Sequence, residues 1–141
     1  MLKVDIAAAP QRTGSDYPPL FDKPCAARHR HRLGDAGGLT DFGVNITRLP
    51  PGTWSSQRHA HVHEDEFVYV LEGELTLVED GGETLLRTGD CAAFPKATGN
   101  SHHLISRSDA VAVYLEVGSD IDMQIAGPDR RFVHKDGTPY R

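Results

Sequence analysis

The chain has 141 residues, of which 38% are hydrophobic and 25% charged, and its formal net charge is −5. That length and balance fit one globular domain with its own core and exclude a disordered chain. The negative charge speaks against nucleic acid as a partner, and no apolar run approaches the ~20 residues of a membrane span, so no membrane partner is expected.

Residues 1–41 contain Pro10, Pro18, Pro19, Pro24 and scattered glycines, which break any regular period. They read as an extended N-terminal arm. Within it, the run Arg28, His29, Arg30, His31, Arg32 reads as a solvated positive stretch or as counter-charge for an acidic patch of the fold. No aromatic residues interleave with these charges, as a nucleic-acid site would require.

From Phe42 onward the texture changes to short apolar runs separated by turn residues. Strands are expected over Phe42–Leu49, Trp54–His61, Glu66–Leu71, Glu74–Val78, Glu83–Arg87, Cys91–Phe94, His102–Ser106 and Val111–Val117. Asp80-Gly81-Gly82 is a hairpin turn, because glycine accepts positive φ without steric cost. Short strands with turns at this spacing predict an all-β antiparallel sandwich or barrel. No helix of three turns is predicted. The expected division is an arm over 1–41, a barrel over 42–126, and a polar tail over 127–141 that packs on the barrel through Phe132, Val133 and Tyr140.

Cys25 and Cys91 are far apart and in no metal-type spacing. They read as free thiols, with Cys91 small and buried, and they point to a reducing, cytoplasmic setting.

The histidines carry the chemical signal. Of eight, five fall in two clusters: His59, His61, His63 and His102, His103. On a strand, His59 and His61 share a face with Ser55 and Gln57, because side chains alternate with period two. Gln57 is then a candidate hydrogen-bond donor lining the cavity. His63 has the same parity but falls where the chain turns, beside Glu64 and Asp65. Glu66 shares a face with Val68 and Val70, and a carboxylate among apolar neighbours calls for a neutralising partner such as a metal ion. In the second cluster only one of two adjacent histidines can face inward. Periodicity leaves open whether that is His102, with Leu104 and Ser106, or His103, with Ile105.

These segments resemble the two motifs of the cupin superfamily. Gly52, His59, His61, Glu66 and Gly73 match the first, and Gly89, Pro95, Gly99 and His102 match the second. The match departs by one extra residue between Gly52 and His59, a longer gap from Pro95 to Gly99, and Ser106 in place of Asn. More narrowly, the chain is similar to small stand-alone bacterial cupins, through Ser55–His59, Glu66–Glu74 and His134–Tyr140. The resemblance implies a double-stranded β-helix, the cupin jelly-roll barrel. It also implies a divalent metal held by His59, His61, Glu66 and His102, with His102 as the third histidine.

Three imidazoles and a carboxylate leave coordination positions open on a six-coordinate ion, as a catalytic or ligand-binding metal needs. Fe, Mn, Ni and Zn all suit such donors. The expected function is an oxygenase, lyase or isomerase acting on a small organic acid or carbonyl compound. The alternative is a non-catalytic module that captures a small ligand. A purely structural ion is the third reading. Phe67, Tyr69 and Leu71, on the face opposite Glu66, together with the arm predict a twofold homodimer.

Overall fold

The computed structural model describes residues 2–58, 60, 64–118, 123–126 and 131–134. Its strands are β1 (Gln11–Thr13), β2 (His29–Arg32), β3 (Gly43–Leu49), β4 (Glu66–Glu72), β5 (Glu74–Glu79), β6 (Gly82–Arg87), β7 (Cys91–Phe94), β8 (His102–Ile105), β9 (Ala112–Gly118), β10 (Met123–Ala126) and β11 (Arg131–His134). The longest α-helical element among the described residues is the single turn Leu33–Ala36.

The strands form a six-stranded sheet in the order β1-β2-β3-β9-β4-β7 and a three-stranded sheet in the order β6-β5-β8. β10 and β11 pair with each other. Every pairing is antiparallel. The two main sheets meet across one apolar core. Leu49, Val68, Val70, Phe94, Ala112 and Tyr114 come from the larger sheet, and Leu75, Leu77, Leu86 and Leu104 from the smaller. Burial of each such aliphatic side chain contributes about 1.5–3 kcal/mol, so this layer is the main source of cohesion. The result is the all-β jelly roll that the sequence predicts.

Local chemistry explains the turns. Glu79 pairs with Gly82, so Asp80 and Gly81 form a two-residue hairpin loop. Between β4 and β5 the chain reverses at Gly73, whose φ is +72°. A Cβ there would lie 2.9 Å from the Val111 carbonyl oxygen and 3.2 Å from Ala112 Cα. Only glycine meets both conditions.

The structure departs from the expected elements in three places. The arm is not simply extended: β1 and β2 within it pair with each other, and β2 pairs with β3, widening the larger sheet. The alternation Arg28-His29-Arg30-His31 is a strand pattern. Arg28 and Arg30 turn toward the interior, whereas His29 meets Gln11 and Thr13, and His31 meets Arg48, on the other face.

The second departure is at Trp54–His61, where no regular strand forms over the described residues. Trp54 makes an isolated bridge to Ile105, and 55–58 is a bend. Its backbone bonds go elsewhere: Trp54 N donates to the Pro24 carbonyl at 2.8 Å, and Ser55 N donates to the Leu104 carbonyl at 2.8 Å. Cys91 is the third departure, being exposed, whereas Cys25 is fully buried. β7 is an edge strand, and Cys91 lies on its outer side with Ala93. Both cysteines are free thiols.

Phe67, Tyr69 and Leu71 lie on the outer face of β4 and are exposed. Among the described residues no helix is long and apolar enough to cross a membrane.

Candidate functional site

β4 opens with Glu66, which pairs in register with Phe94 of β7. Alternation along β4 puts Glu66, Val68 and Val70 on the inner face. Across the core, β8 brings His102 toward the same point. His102 Nε2 lies 3.3 Å from Glu66 Oε2. The Phe94 ring stacks on the imidazole, with centroids 3.7 Å apart and planes within 8°. Leu104, two residues on, joins the core.

The two adjacent histidines are both buried but face different neighbours. His102 faces Glu66 and the interior. His103 packs against the Trp54 ring at 4.5 Å, with Ile105 bridged to Trp54 on the same side. Ser106, of His102 parity, is fully buried and donates its hydroxyl to the Ala110 carbonyl.

His59, His61 and His63 lie outside the described residues. Among the described residues no group of three or more metal-ligating side chains gathers at one point. The two predicted ligands that are described, Glu66 and His102, converge from opposite sheets. Their chemistry fits a divalent ion: one anionic oxygen and one imidazole nitrogen, turned to a common point within a largely apolar wall.

Among the described residues, Gln57 is engaged by the arm. Its backbone N donates to Tyr17 Oη at 3.0 Å, and its Nε2 donates to the Phe21 carbonyl at 2.7 Å. The residue fastens the arm to the segment that carries the first histidine cluster. Without a regular strand over 55–58, the parity that placed Gln57 beside His59 does not apply.

Among the described residues, two openings border the pair, one at Glu66 and one at His102. One is a groove of about 480 Å³ bounded by Phe42, Glu66, Phe67, Phe94 and Val117. The other is a smaller recess of about 90 Å³ that touches Glu79, Phe94, Asn100 and His102. Thus the pair sits at the mouth of the barrel, with Glu66 partly exposed and His102 buried.

Deeper inside is a polar set that the sequence reading did not single out. Arg30 Nε lies 2.8 Å from Glu116 Oε1. The same carboxylate oxygen accepts from Asn45 Nδ2 at 3.1 Å and from Thr47 Oγ1 at 3.3 Å. Arg28 donates through its two Nη atoms to the carbonyls of Ser55 and Gly14. The basic run therefore supplies counter-charge to an interior carboxylate. The available signal was Glu116 itself, which shares parity with the apolar Ala112 on β9.

A family model described as a cupin domain matches residues 45–118. Among solved structures, the chain is 44% identical to a sugar phosphate isomerase of the cupin superfamily from Silicibacter pomeroyi, over 99% of this chain and 96% of that one, with a TM-score of 0.84. The chain belongs to the cupin superfamily.

This cupin is also similar to a candidate sugar phosphate isomerase from Acidithiobacillus ferrooxidans. Identity is 31%, over 74% of this chain and 65% of that one, slightly under two thirds of that relative's length, with a TM-score of 0.67. A predicted oxalate decarboxylase from Thermotoga maritima is 20% identical, over 83% of this chain and 97% of that one, with a TM-score of 0.64. That likeness carries the fold alone. No curated protein matches this cupin.

Proposed function

We propose that this cupin is a divalent-metal-dependent isomerase acting on a small phosphorylated carbonyl compound, a sugar phosphate. The observation that carries the reading is the inward Glu66–His102 pair at the barrel mouth, in a chain 44% identical over nearly its whole length to a sugar phosphate isomerase. His59, His61, Glu66 and His102 would hold the metal. When bound, a divalent ion polarises a carbonyl group and so eases loss of a neighbouring proton.

The chain's own residues supply position and exclusion. Phe94, flat against His102, fixes the ring orientation and shields it from water. Glu66 stands where the groove meets the interior, so a small molecule entering there meets the carboxylate first. The groove walls of Phe42, Phe67 and Val117 are apolar and accommodate a carbon chain.

The test is direct. Purified protein is loaded separately with Fe, Mn, Ni and Zn, and each form is incubated with a panel of aldose and ketose phosphates followed by NMR. Interconversion of an aldose and a ketose phosphate supports the proposal. Binding without turnover replaces it with the ligand-capturing reading. Absence of both removes sugar phosphates as the substrate class.

A further inference from the structure

Tyr114 lies at the middle of β9, opposite Thr47 of β3 and Val70 of β4. Alternation puts it on the inner face with Ala112 and Glu116. Its side chain is 0% exposed, and its hydroxyl has no hydrogen-bond partner among the described residues. Such groups are rare in folded proteins, because burial strips water from a hydroxyl and returns nothing. Where one persists, a partner absent from the resting protein is a physical reason for it.

The surroundings narrow what that partner is. The hydroxyl lies within electrostatic range of Glu116, Arg30, Arg28 and Glu66. Burial, reinforced by Glu116, holds its pKa well above the ordinary phenol value, so at neutral pH the oxygen keeps its proton and can donate. The adjacent charges are already engaged: Glu116 is ion-paired with Arg30 and accepts from Asn45 and Thr47, and Arg28 donates to two backbone carbonyls. A balanced interior of this kind suits an uncharged oxygen better than a phosphate.

We propose that the Tyr114 hydroxyl is a ligand-binding donor, which hydrogen-bonds a carbonyl or hydroxyl oxygen on the carbon chain of a sugar-type ligand in the barrel. The proposal rests on the isomerase reading for the ligand's class and adds which end points inward. The carbon chain, which the apolar groove admits, turns its oxygens inward toward Tyr114.

The experiment compares wild type with Tyr114→Phe, both metal-loaded. Calorimetric titration uses ribose 5-phosphate, glucose 6-phosphate and mannose 6-phosphate as probes, alongside metal content and Tm. The variant is expected to bind about tenfold more weakly any probe that wild type binds, as loss of one hydrogen bond implies. Its metal content should be unchanged and its Tm equal or higher, because the removed hydroxyl had no partner. Equal affinity in the two proteins would overturn this inference and leave the isomerase reading intact. A clear fall in Tm would show that the hydroxyl is structural and would also overturn it. If wild type binds none of the probes, both readings fall together.

Discussion

The Glu66 carboxylate and the His102 imidazole meet 3.3 Å apart although they belong to opposite sheets of the barrel. Neither sheet alone brings donors to that point, so closing the fold creates the site. Under the proposed metal set, Glu66→Gln keeps the shape and removes the anionic donor. Bound divalent metal per chain, measured by elemental analysis, is expected to fall sharply while the circular dichroism spectrum is unchanged. Full occupancy in this variant would remove Glu66 from the ligand set.

Gly73 joins the β4 strand that carries Glu66 to β5. Gly73→Ala forces a left-handed conformation on a residue with a Cβ, which costs about 1–2 kcal/mol. It also drives that Cβ to within 2.9 Å of the Val111 carbonyl. Urea denaturation is expected to show a loss of at least ~2 kcal/mol. An unchanged midpoint would mean that the β9 edge yields freely.

Glu116 and Arg30 are both largely buried, with side chains 14% and 16% exposed. Glu116→Ala takes the carboxylate away from the Arg30 guanidinium and removes an acceptor of Asn45 and Thr47. Removing one member of a buried pair costs about 3–5 kcal/mol. Chemical denaturation of Glu116→Ala is expected to show a loss of that order. Replacing Arg30 and Glu116 together should cost less than the sum of the two single changes, and strict additivity would argue against coupling.

The two thiols should behave differently. Cys25 is fully buried, and burial pushes its pKa up to about 11, whereas Cys91 is exposed. A thiol reagent at neutral pH is expected to label one cysteine in the native protein and both after denaturation. The raised pKa also fixes a sign. Between the ordinary thiol value of 9.0 and about 11, the unfolded state releases the Cys25 proton while the folded state retains it. Stability therefore declines as pH rises through that window, and Cys25→Ser should weaken the dependence. Equal labelling of both thiols in the native protein would contradict the burial.

The strands after Phe42 were legible because turn residues bracket short apolar runs. The observed β3 to β9 follow those runs except over the described residues 54–58. That segment misleads because Ser55, Ser56 and Gln57 fit a strand or a bend equally well. What decides is distant: the carbonyls of Pro24 and Leu104 accept its backbone N–H groups. The strand at His29–Arg32 was hidden for a different reason. Its alternation is of Arg with His, two polar residue types, and no hydropathy period marks it. The meeting of Glu66 with His102 was legible from residue chemistry and motif spacing. Tyr114 was not, because a tyrosine in a β-rich run is ordinary until its hydroxyl is found without a partner.

The arm has a consequence for how this protein can be divided. Its strand β2 covers the flank of β3, and Pro24, Tyr17 and Phe21 hold the 54–57 segment in place. Trimming the chain to the family-matched portion would strip that cover. A row of unsatisfied backbone groups along β3 would then be offered to any passing strand, an invitation to aggregation. The first forty residues thus guard the solubility of the barrel as well as its shape.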